Sequence, residues 1–112
     1  MRRGKKLGYL KPSLAPKEKV TNREIIWAAG FFEGDGCAYR HRDGATASIG
    51  QKTRWPLEFM QRYFGGGVTS HGTPGNIQWR LTGARARGFL QTIYELVSPR
   101  RQKQIALAMD WD

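Results

Sequence analysis

The residues best suited to chemistry lie in a ten-residue stretch that ends in alternating glycines and acids. It reads WAAGFFEGDG over residues 27–36, and its acidic members are Glu33 and Asp35. Gly34 and Gly36 flank Asp35 and permit the backbone to leave the helical conformation there. The pattern predicts an apolar helix that delivers a carboxylate at its C-terminal end, and such oxygen ligands suit a hard divalent cation.

Small residues along the same helix indicate how two such carboxylates would meet. Ile26, Gly30 and Gly34 are four residues apart on one stripe, and Ala29 is a further small residue of the motif. A stripe of this kind lets two helices approach closely. Because the chain carries one motif, we expect a twofold homodimer that brings two Asp35 carboxylates together. Their repulsion calls for a cation, and we expect Mg²⁺ (or Mn²⁺), a hard ion that a few carboxylates and waters can hold and that can activate a bound water.

Length and charge restrict the class of protein. The 112 residues allow one small domain, and the net charge of +10 favours a polyanionic partner. The single cysteine excludes an intrachain disulfide framework and a multi-cysteine zinc site. No apolar run approaches the ~20 residues of a membrane span, and no signal-peptide pattern follows the basic N-terminus. We therefore expect an intracellular protein that is not secreted and has no membrane partner.

Basic residues are concentrated at the N-terminus. Residues 1–19 carry a net charge of +6 together with two prolines, and the rest of the chain carries +4. Such a segment buries too little to order itself, so we predict a flexible basic arm over residues 1–20 and one folded domain over residues 21–112. The arm is interpreted as a clamp on a nucleic-acid backbone, and the alternative is a solvated tail.

Hydrophobic periodicity and turn residues predict the order α-β-β-α-β-β-α-α. Thr21 and Glu24 fit a capping box at the start of a helix over residues 22–33. The dipeptide Asp43-Gly44 predicts a hairpin between strands 37–42 and 45–53. The remaining predicted elements are a helix, a second hairpin and two helices: 54–64, 68–71, 76–82, 83–97 and a last helix that begins at Pro99.

These elements predict an α+β domain with one four-stranded antiparallel sheet, helices on one face and a concave polar face left for DNA. In the first hairpin we expect His41 opposite Thr46 and Tyr39 opposite Ser48, all four on the polar face. Arg40 would then lie on the apolar face and extend its charge out to solvent. A shift of one residue would instead move Arg40 to the polar face.

The stretch over residues 28–36 resembles the signature of the LAGLIDADG homing endonucleases at all nine positions in kind. Gly30, Asp35 and Gly36 are identical to the family pattern, and the αββαββα order over residues 21–109 is also similar. The resemblance implies that Asp35 is the essential metal ligand and that the Gly34 carbonyl faces the metal. Glu33 occupies the less critical acidic position, and we interpret it as a hydrogen-bond acceptor at the helix end.

Two further stretches resemble the family. The first, Gln51-Lys52-Thr53, implies a place for Gln51 near the active-site water network, and Arg54 after it is a candidate contact to the scissile phosphate. The second is RQKQ over residues 101–104, where Arg101 replaces the active-site lysine and keeps its positive charge. Arginine holds phosphate well but does not readily shuttle protons. The alternative for the cations of this last helix is a solvated surface.

The remaining candidates are polar or basic side chains expected to contact DNA. Glutamine pairs with adenine and arginine with guanine in the major groove, each good pair contributing ~1–3 kcal/mol of discrimination. The full set of predicted DNA contacts is Tyr39, His41, Thr46, Ser48, Arg54, Thr69, His71, Gln78, Arg80 and Lys103.

The resemblance implies a site-specific homing endonuclease from an intron or another mobile element. Such a protein binds a long, near-palindromic double-stranded DNA site as a homodimer and hydrolyses phosphodiesters with a divalent metal, in a bacterial or phage setting or in an organelle. One alternative is a cleavage-deficient protein of the same fold that binds DNA as a regulator or intron RNA as a splicing cofactor. Another is a monomeric, basic RNA-binding protein of the ribosomal type.

Overall fold

The computed structural model describes residues 14–42, 44–70 and 75–111. Its helices and strands follow the predicted order, with a short 3₁₀ turn over Tyr94–Leu96 after the third helix. The elements are α1 (Asn22–Asp35), β1 (Gly36–His41), β2 (Gly44–Gln51), α2 (Trp55–Phe64), β3 (Gly67–Ser70), β4 (Ile77–Thr82), α3 (Gly83–Ile93) and α4 (Pro99–Met109). Asp43, His71 and the first thirteen residues of the predicted arm lie outside the described residues.

The four strands form one antiparallel sheet in the order β1-β2-β4-β3. Helices pack on one face of it, which confirms the predicted α+β class. The core between sheet and helices holds Ile49, Trp79 and Leu81 from the strands and Phe32, Leu57, Met60, Leu90, Ile93 and Ile105 from the helices. None of the described helices is both long and apolar enough to cross a membrane.

The first hairpin pairs two residues away from the predicted register. Tyr39 lies opposite Thr46 and His41 opposite Gly44, so the predicted pairs His41–Thr46 and Tyr39–Ser48 are wrong. The turn starts earlier than expected because Arg42 adopts a left-handed conformation with φ of 57°. Since side chains alternate with a period of two, this shift keeps every predicted residue on its predicted face.

Helix α4 covers the outer edge of β1, where strand hydrogen-bonding groups would otherwise face solvent. The Gln104 side chain accepts a hydrogen bond from the Ala38 N–H at 3.1 Å. In return, Arg40 donates from Nη1 to the Ala108 carbonyl at 3.1 Å, near the C-terminal end of α4. Arg40 therefore lies on the helix-covered face with its charge extended outward, as predicted, and it finds a helix-end carbonyl there.

The last residues of the predicted arm are docked on the domain. The Gly66 N–H donates to the Leu14 carbonyl at 2.9 Å, and the Lys17 N–H donates to the Arg62 carbonyl at 2.8 Å. Gly65 has φ of 85°, and a Cβ there would overlap the Leu14 carbonyl. Buried Trp79 fixes the same turn by donating from Nε1 to the Gly65 carbonyl at 2.8 Å. Residues 14–18 thus belong to the folded part of the chain.

Helix α1 begins with the predicted interaction between Thr21 and Glu24. The Glu24 carboxylate accepts hydrogen bonds from the Thr21 hydroxyl and from the Thr21 N–H, the latter at 2.7 Å. These two donors, the hydroxyl first, hold the pKa of Glu24 below its usual value. The interaction gives a hydrogen-bond acceptor to the Thr21 N–H, one of the backbone donors at the helix start that have no acceptor within the helix.

We expect the contribution of Glu24 to stability to depend on pH. Because its folded pKa is lowered, the contribution is complete above the unfolded-state value near 4.5 and disappears as the pH falls through the folded-state value. Urea unfolding should therefore show that Glu24→Gln destabilises the protein more at pH 7 than at pH 3. Thr21→Ala, which removes the hydroxyl donor, should reduce this difference, and an equal effect of Glu24→Gln at both pH values would contradict the assignment.

Candidate functional site

Asp35 is the last residue of α1 and its carboxylate is exposed to solvent. The sheet places its partner: β2 runs antiparallel to β1 and ends at Gln51, so that the Gln51 side chain lies beside the helix end. Gln51 donates from Nε2 to Asp35 Oδ2 at 2.6 Å. Two residues sixteen apart in sequence, both predicted for the site, are thus in direct contact.

The chain enters β1 immediately after Asp35 because residue 36 has no side chain. A Cβ at Gly36 would overlap the Phe32 ring, which is fully buried under the strand. The Gly36 N–H also closes the helix by donating to the Phe32 carbonyl. Helix α1 extends two residues beyond its predicted end at 33, and Asp35 is consequently held in helical geometry.

Glu33 is a hydrogen-bond acceptor at the helix end, in agreement with its interpretation from the sequence. Its carboxylate accepts from the Ser98 N–H and from the Ser98 hydroxyl, both at 2.8 Å, and pairs with Arg100 at 3.6 Å. The Ser98 N–H, followed by the Ser98 hydroxyl, lowers the pKa of Glu33. Since Ser98 is the N-cap of α4, this contact joins the end of α1 to the start of α4.

Arg101, predicted as the cation at the cleaved phosphate, is inside the protomer with 6% of its surface exposed. It donates from Nε to the Glu33 carbonyl at 3.0 Å and from Nη1 to Gln104 Oε1 at 2.8 Å. Its guanidinium carbon lies 5.6 Å from the centre of the Phe32 ring. The side chain is thus held by α1 and α4.

The predicted contact stripe is open on the outer face of α1. Ile26 is 62% exposed, and a Cβ at Gly30 or Gly34 would meet nothing within 4 Å. Ala29, the fourth residue predicted for the dimer interface, does not lie on this open face. It is 2% exposed and packs into the protomer's own core. Its position one residue before Gly30 turns it toward the sheet.

The side chains at the centre of the polar sheet face are less exposed than predicted. Thr46 and Ser48 lie on that face but are only 3% and 5% exposed, and both sit on β2, which has a paired strand on each side. Thr46 is flanked by Tyr39 and Thr82, and Ser48 has Arg80 beside it. Thr46 and Ser48, both predicted to contact DNA, therefore offer almost no accessible surface to a duplex in this structure.

Other predicted contacts remain accessible on the same face or near it. Arg80 stands between the small residues Gly67 and Ser48 and donates to Gln78 at 3.1 Å. Arg54 is half-exposed and pairs with Glu58 at 2.9 Å. The predicted contacts that are at least partly exposed are Tyr39, His41, Arg54, Thr69, Gln78, Arg80 and Lys103.

Sequence reasoning missed three residues that the structure brings to these surfaces. Cys37 is a free thiol, exposed on β1 opposite Ser48 and two residues after Asp35. Its alternation with Tyr39 and His41 would have placed it on the polar face. Ser98 and Gln104 complete the contacts around Glu33 and Arg101. Their bonds to Glu33 and Ala38 join residues more than sixty apart in sequence, and this pairing leaves no local signal.

The donor atoms at Asp35 fit a hard cation only in part. The described residues of one protomer contain no cluster of three or more His, Cys, Asp or Glu side chains able to hold a metal. One carboxylate with a neighbouring amide is too small a set for a closed zinc or calcium site. It fits Mg²⁺, which binds through one or two carboxylates and takes its other ligands from water and phosphate.

No protein-family model and no curated protein sequence matches the chain. Several solved structures do match it. One is the homing endonuclease I-CvuI in complex with the I-CreI target in the presence of 2 mM Mg, with the DNA not cleaved. It superposes with a TM-score of 0.69 at 17% identity, over 80% of this chain and 65% of that one. The archaeal intron-encoded homing endonuclease I-Vdi141I, complexed with DNA, gives 0.64 at 17% identity over 77% and 65%.

A third neighbour, the homing endonuclease I-TnaI, gives a TM-score of 0.55 at 18% identity over 79% of this chain and 68% of that one. The matched region thus spans about two thirds of the neighbours' length. At identities this low, the superpositions establish the architecture alone, and activity has to be argued from the site. This chain has the fold of the LAGLIDADG homing endonucleases.

Proposed function

We propose that this chain is a homodimeric, divalent-metal-dependent endonuclease for a long, near-palindromic double-stranded DNA site. The observation that carries the proposal is the contact between Asp35 and Gln51 at the end of a helix whose outer face is a stripe of small residues. A helix of this kind pairs closely with its own copy about a twofold axis. Each protomer then contributes one Asp35 carboxylate to a shared site.

The roles follow from the donor atoms. Asp35, with the Gly34 carbonyl beside it, would hold Mg²⁺ or Mn²⁺ at the axis. When bound, the ion would supply a water of lowered pKa and a positive charge for the leaving oxygen of the phosphodiester. Gln51 fixes the rotamer of Asp35 through its Nε2 donor, so that the carboxylate is oriented before DNA arrives. The backbone of Gln51 is held in the sheet by its pairing with Ile77 of β4.

The polar sheet face supplies the DNA-binding surface of the proposal. The neighbours I-CvuI and I-Vdi141I were solved with DNA, and this chain shares their architecture. Three accessible side chains lie close together on β3 and β4, namely Thr69, Gln78 and Arg80. Their hydroxyl, amide and guanidinium groups can hydrogen-bond to base edges in a major groove. The net charge of +10, with +6 in residues 1–19, supplies the sequence-independent attraction to phosphates.

A cleavage-deficient DNA- or RNA-binding protein of the same fold is the second candidate, and one observation favours it. The residue in the position of the family's lysine is Arg101, and its guanidinium is held within the protomer by Glu33 and Gln104. A side chain so engaged is less available to a phosphate. The two candidates differ in a single measurable step, the hydrolysis of a phosphodiester.

We expect Asp35→Asn to separate cleavage from binding. The substitution preserves shape and removes the charge that would hold the metal, so cleavage should fall by more than the roughly 10–100-fold typical of residues that only support metal ligands. Binding without metal should be at least as tight, because a negative charge facing phosphates is removed. A randomised duplex pool incubated with the protein and Mg²⁺, followed by sequencing of cut and of bound molecules, measures both.

Retained cutting by Asp35→Asn would contradict the catalytic assignment. Selection of a discrete bound sequence by the native chain with no cut product would establish the second candidate instead. A bound pool without any sequence preference would argue against both.

We expect Gly30→Leu to produce monomers. Because no atom lies within 4 Å of a Cβ at Gly30, the protomer accommodates the leucine, but two close-packed copies of α1 do not. Replacing a helical glycine also stabilises the helix by up to about 1 kcal/mol, so the protomer should keep its thermal stability. Sedimentation equilibrium measures the association.

Gly88→Leu is the matched control, since Gly88 is a helical glycine of α3 with the same open surroundings. It should sediment as the wild type does. A Gly30→Leu variant that remains a dimer would contradict the α1 interface, and a monomeric wild type would favour the ribosomal-type alternative.

On the sheet, we expect Arg80→Ala to weaken DNA binding and Ser48→Ala to leave it nearly unchanged. Arg80 is exposed between small neighbours, whereas Ser48 is 5% exposed. Loss of a guanine contact would cost ~1–3 kcal/mol of discrimination at one base pair, and loss of a phosphate contact would lower the salt slope by about one. Fluorescence anisotropy at several salt concentrations distinguishes these cases, with exposed Arg87→Ala on α3 as the control. Equal effects of Arg80→Ala and Arg87→Ala would contradict a specific role for the sheet.

A further inference from the structure

Arg101 touches both sides of the segment that carries Asp35. On the helix side, its Nε–H binds the Glu33 carbonyl at 3.0 Å, two residues before Asp35. On the strand side, its Nη1–H binds Gln104 Oε1 at 2.8 Å, and the same oxygen accepts the Ala38 N–H at 3.1 Å. The passage from residue 33 to residue 38 is thus connected at both ends to one guanidinium.

The position of Arg101 is itself tightly determined. The side chain is 6% exposed and stacks over the Phe32 ring at 5.6 Å. Its own backbone N–H donates to the Ser98 hydroxyl, which in turn donates to the Glu33 carboxylate. A buried charge is tolerated when acceptors of fixed geometry hydrogen-bond to it, and the carbonyl end of a helix is such an acceptor.

We propose that Arg101 is a positioning residue that clamps the α1–β1 passage at Glu33 and, through Gln104, at Ala38, and thereby sets the place of the Asp35 carboxylate. This inference rests on the proposed nuclease function for its consequence in cleavage. It differs from a contact to the cleaved phosphate, because Nε and Nη1 donate to acceptors within the protomer and the side chain is 6% exposed.

The clamp requires the shape of arginine as well as its charge. A guanidinium presents donors in a planar fork, so that Nε and Nη1 reach two acceptors at once. A lysine ammonium carries its donors on one nitrogen and lacks that spread. Arg101→Lys therefore keeps the charge and removes the clamp, and it also installs the residue that the family carries at this position.

The first test does not depend on cleavage. We expect ¹H–¹⁵N correlation spectra of metal-free Arg101→Lys to show shifted or broadened amide signals for residues 34–38. Gln104→Met, which breaks only the strand side, should perturb Ala38 more than Gly34. Arg62→Lys, the same exchange at an exposed site on α2, is the matched control and should leave these signals unchanged.

The second test measures the dependence of DNA cleavage on Mg²⁺ concentration, well below the melting temperature of each variant. We expect Arg101→Lys to raise the Mg²⁺ concentration for half-maximal cleavage by about 10–100-fold, as loss of a residue that orients a metal ligand does. Gln104→Met should raise it less. A contact to phosphate predicts instead an unchanged half-saturation point with lysine as an adequate substitute.

Each outcome decides between the alternatives. Unchanged amide signals and an unchanged Mg²⁺ dependence in Arg101→Lys would overturn the clamp, even if the melting temperature falls, since a role in stability alone moves only that temperature. Perturbed amide signals in a chain whose wild type never cleaves DNA would support the clamp and overturn the nuclease function. Perturbed signals together with the raised Mg²⁺ requirement would support both.

Discussion

A carboxylate at the C-terminal end of α1 is the arrangement on which the rest of the molecule depends. The end of a helix carries a partial negative charge of about half an elementary charge, so Asp35 adds to a potential that already repels it. The last turn of α1 contains no basic residue to offset this. Two surrounding side chains offset this negative charge. Gln51 donates a hydrogen bond to the carboxylate, and Arg101 donates one to a carbonyl of the same helix end. A site of this polarity attracts cations.

The two faces of α1 serve different surfaces. Ala28, Ala29 and Phe32 pack into the core, whereas Ile26 and Gly30 remain open. A glycine in a helix interior costs about 1 kcal/mol relative to alanine, and Gly30 makes no close contact within the protomer that would offset this cost. The cost is explained if another backbone approaches Gly30, which is the reason for assigning this face to a second copy of the chain.

Much of the fold was predictable because it is encoded locally. The start of α1 and most of its length follow from its capping residues and apolar run, and β4 follows from the alternation of Ile77, Trp79 and Leu81. The resemblance implied only that Gln51 lies near the active-site water network, and its direct contact with Asp35 depends on strand pairing that the local sequence does not fix. The β1–β2 register could not be read from Asp43-Gly44, because the left-handed conformation falls on Arg42, a residue without a strong turn preference.

The unexpected burial of Ser48 and of Arg101 has one cause, which is contact with neighbours that are distant in sequence. Ser48 lies on the polar face as expected, yet its exposure is decided by strands that pair from residues 36–41 and 77–82. For Arg101, the pattern RQKQ fixes charge but not direction, and only the approach of α4 to Glu33 and Ala38 turns the side chain inward.

The inward direction of Arg101 follows from the packing of α4 against the edge of β1. Gln104 is needed to satisfy the Ala38 N–H on that edge, and it lies one helical turn after Arg101, on the same side of the helix. With Gln104 facing the strand, Arg101 faces the end of α1, where the helix dipole favours a cation. Glu33 then directs its carboxylate to Ser98 and Arg100 and leaves its carbonyl to the guanidinium. Covering an exposed strand edge and orienting Asp35 are therefore achieved by the same few side chains, so neither can change without the other.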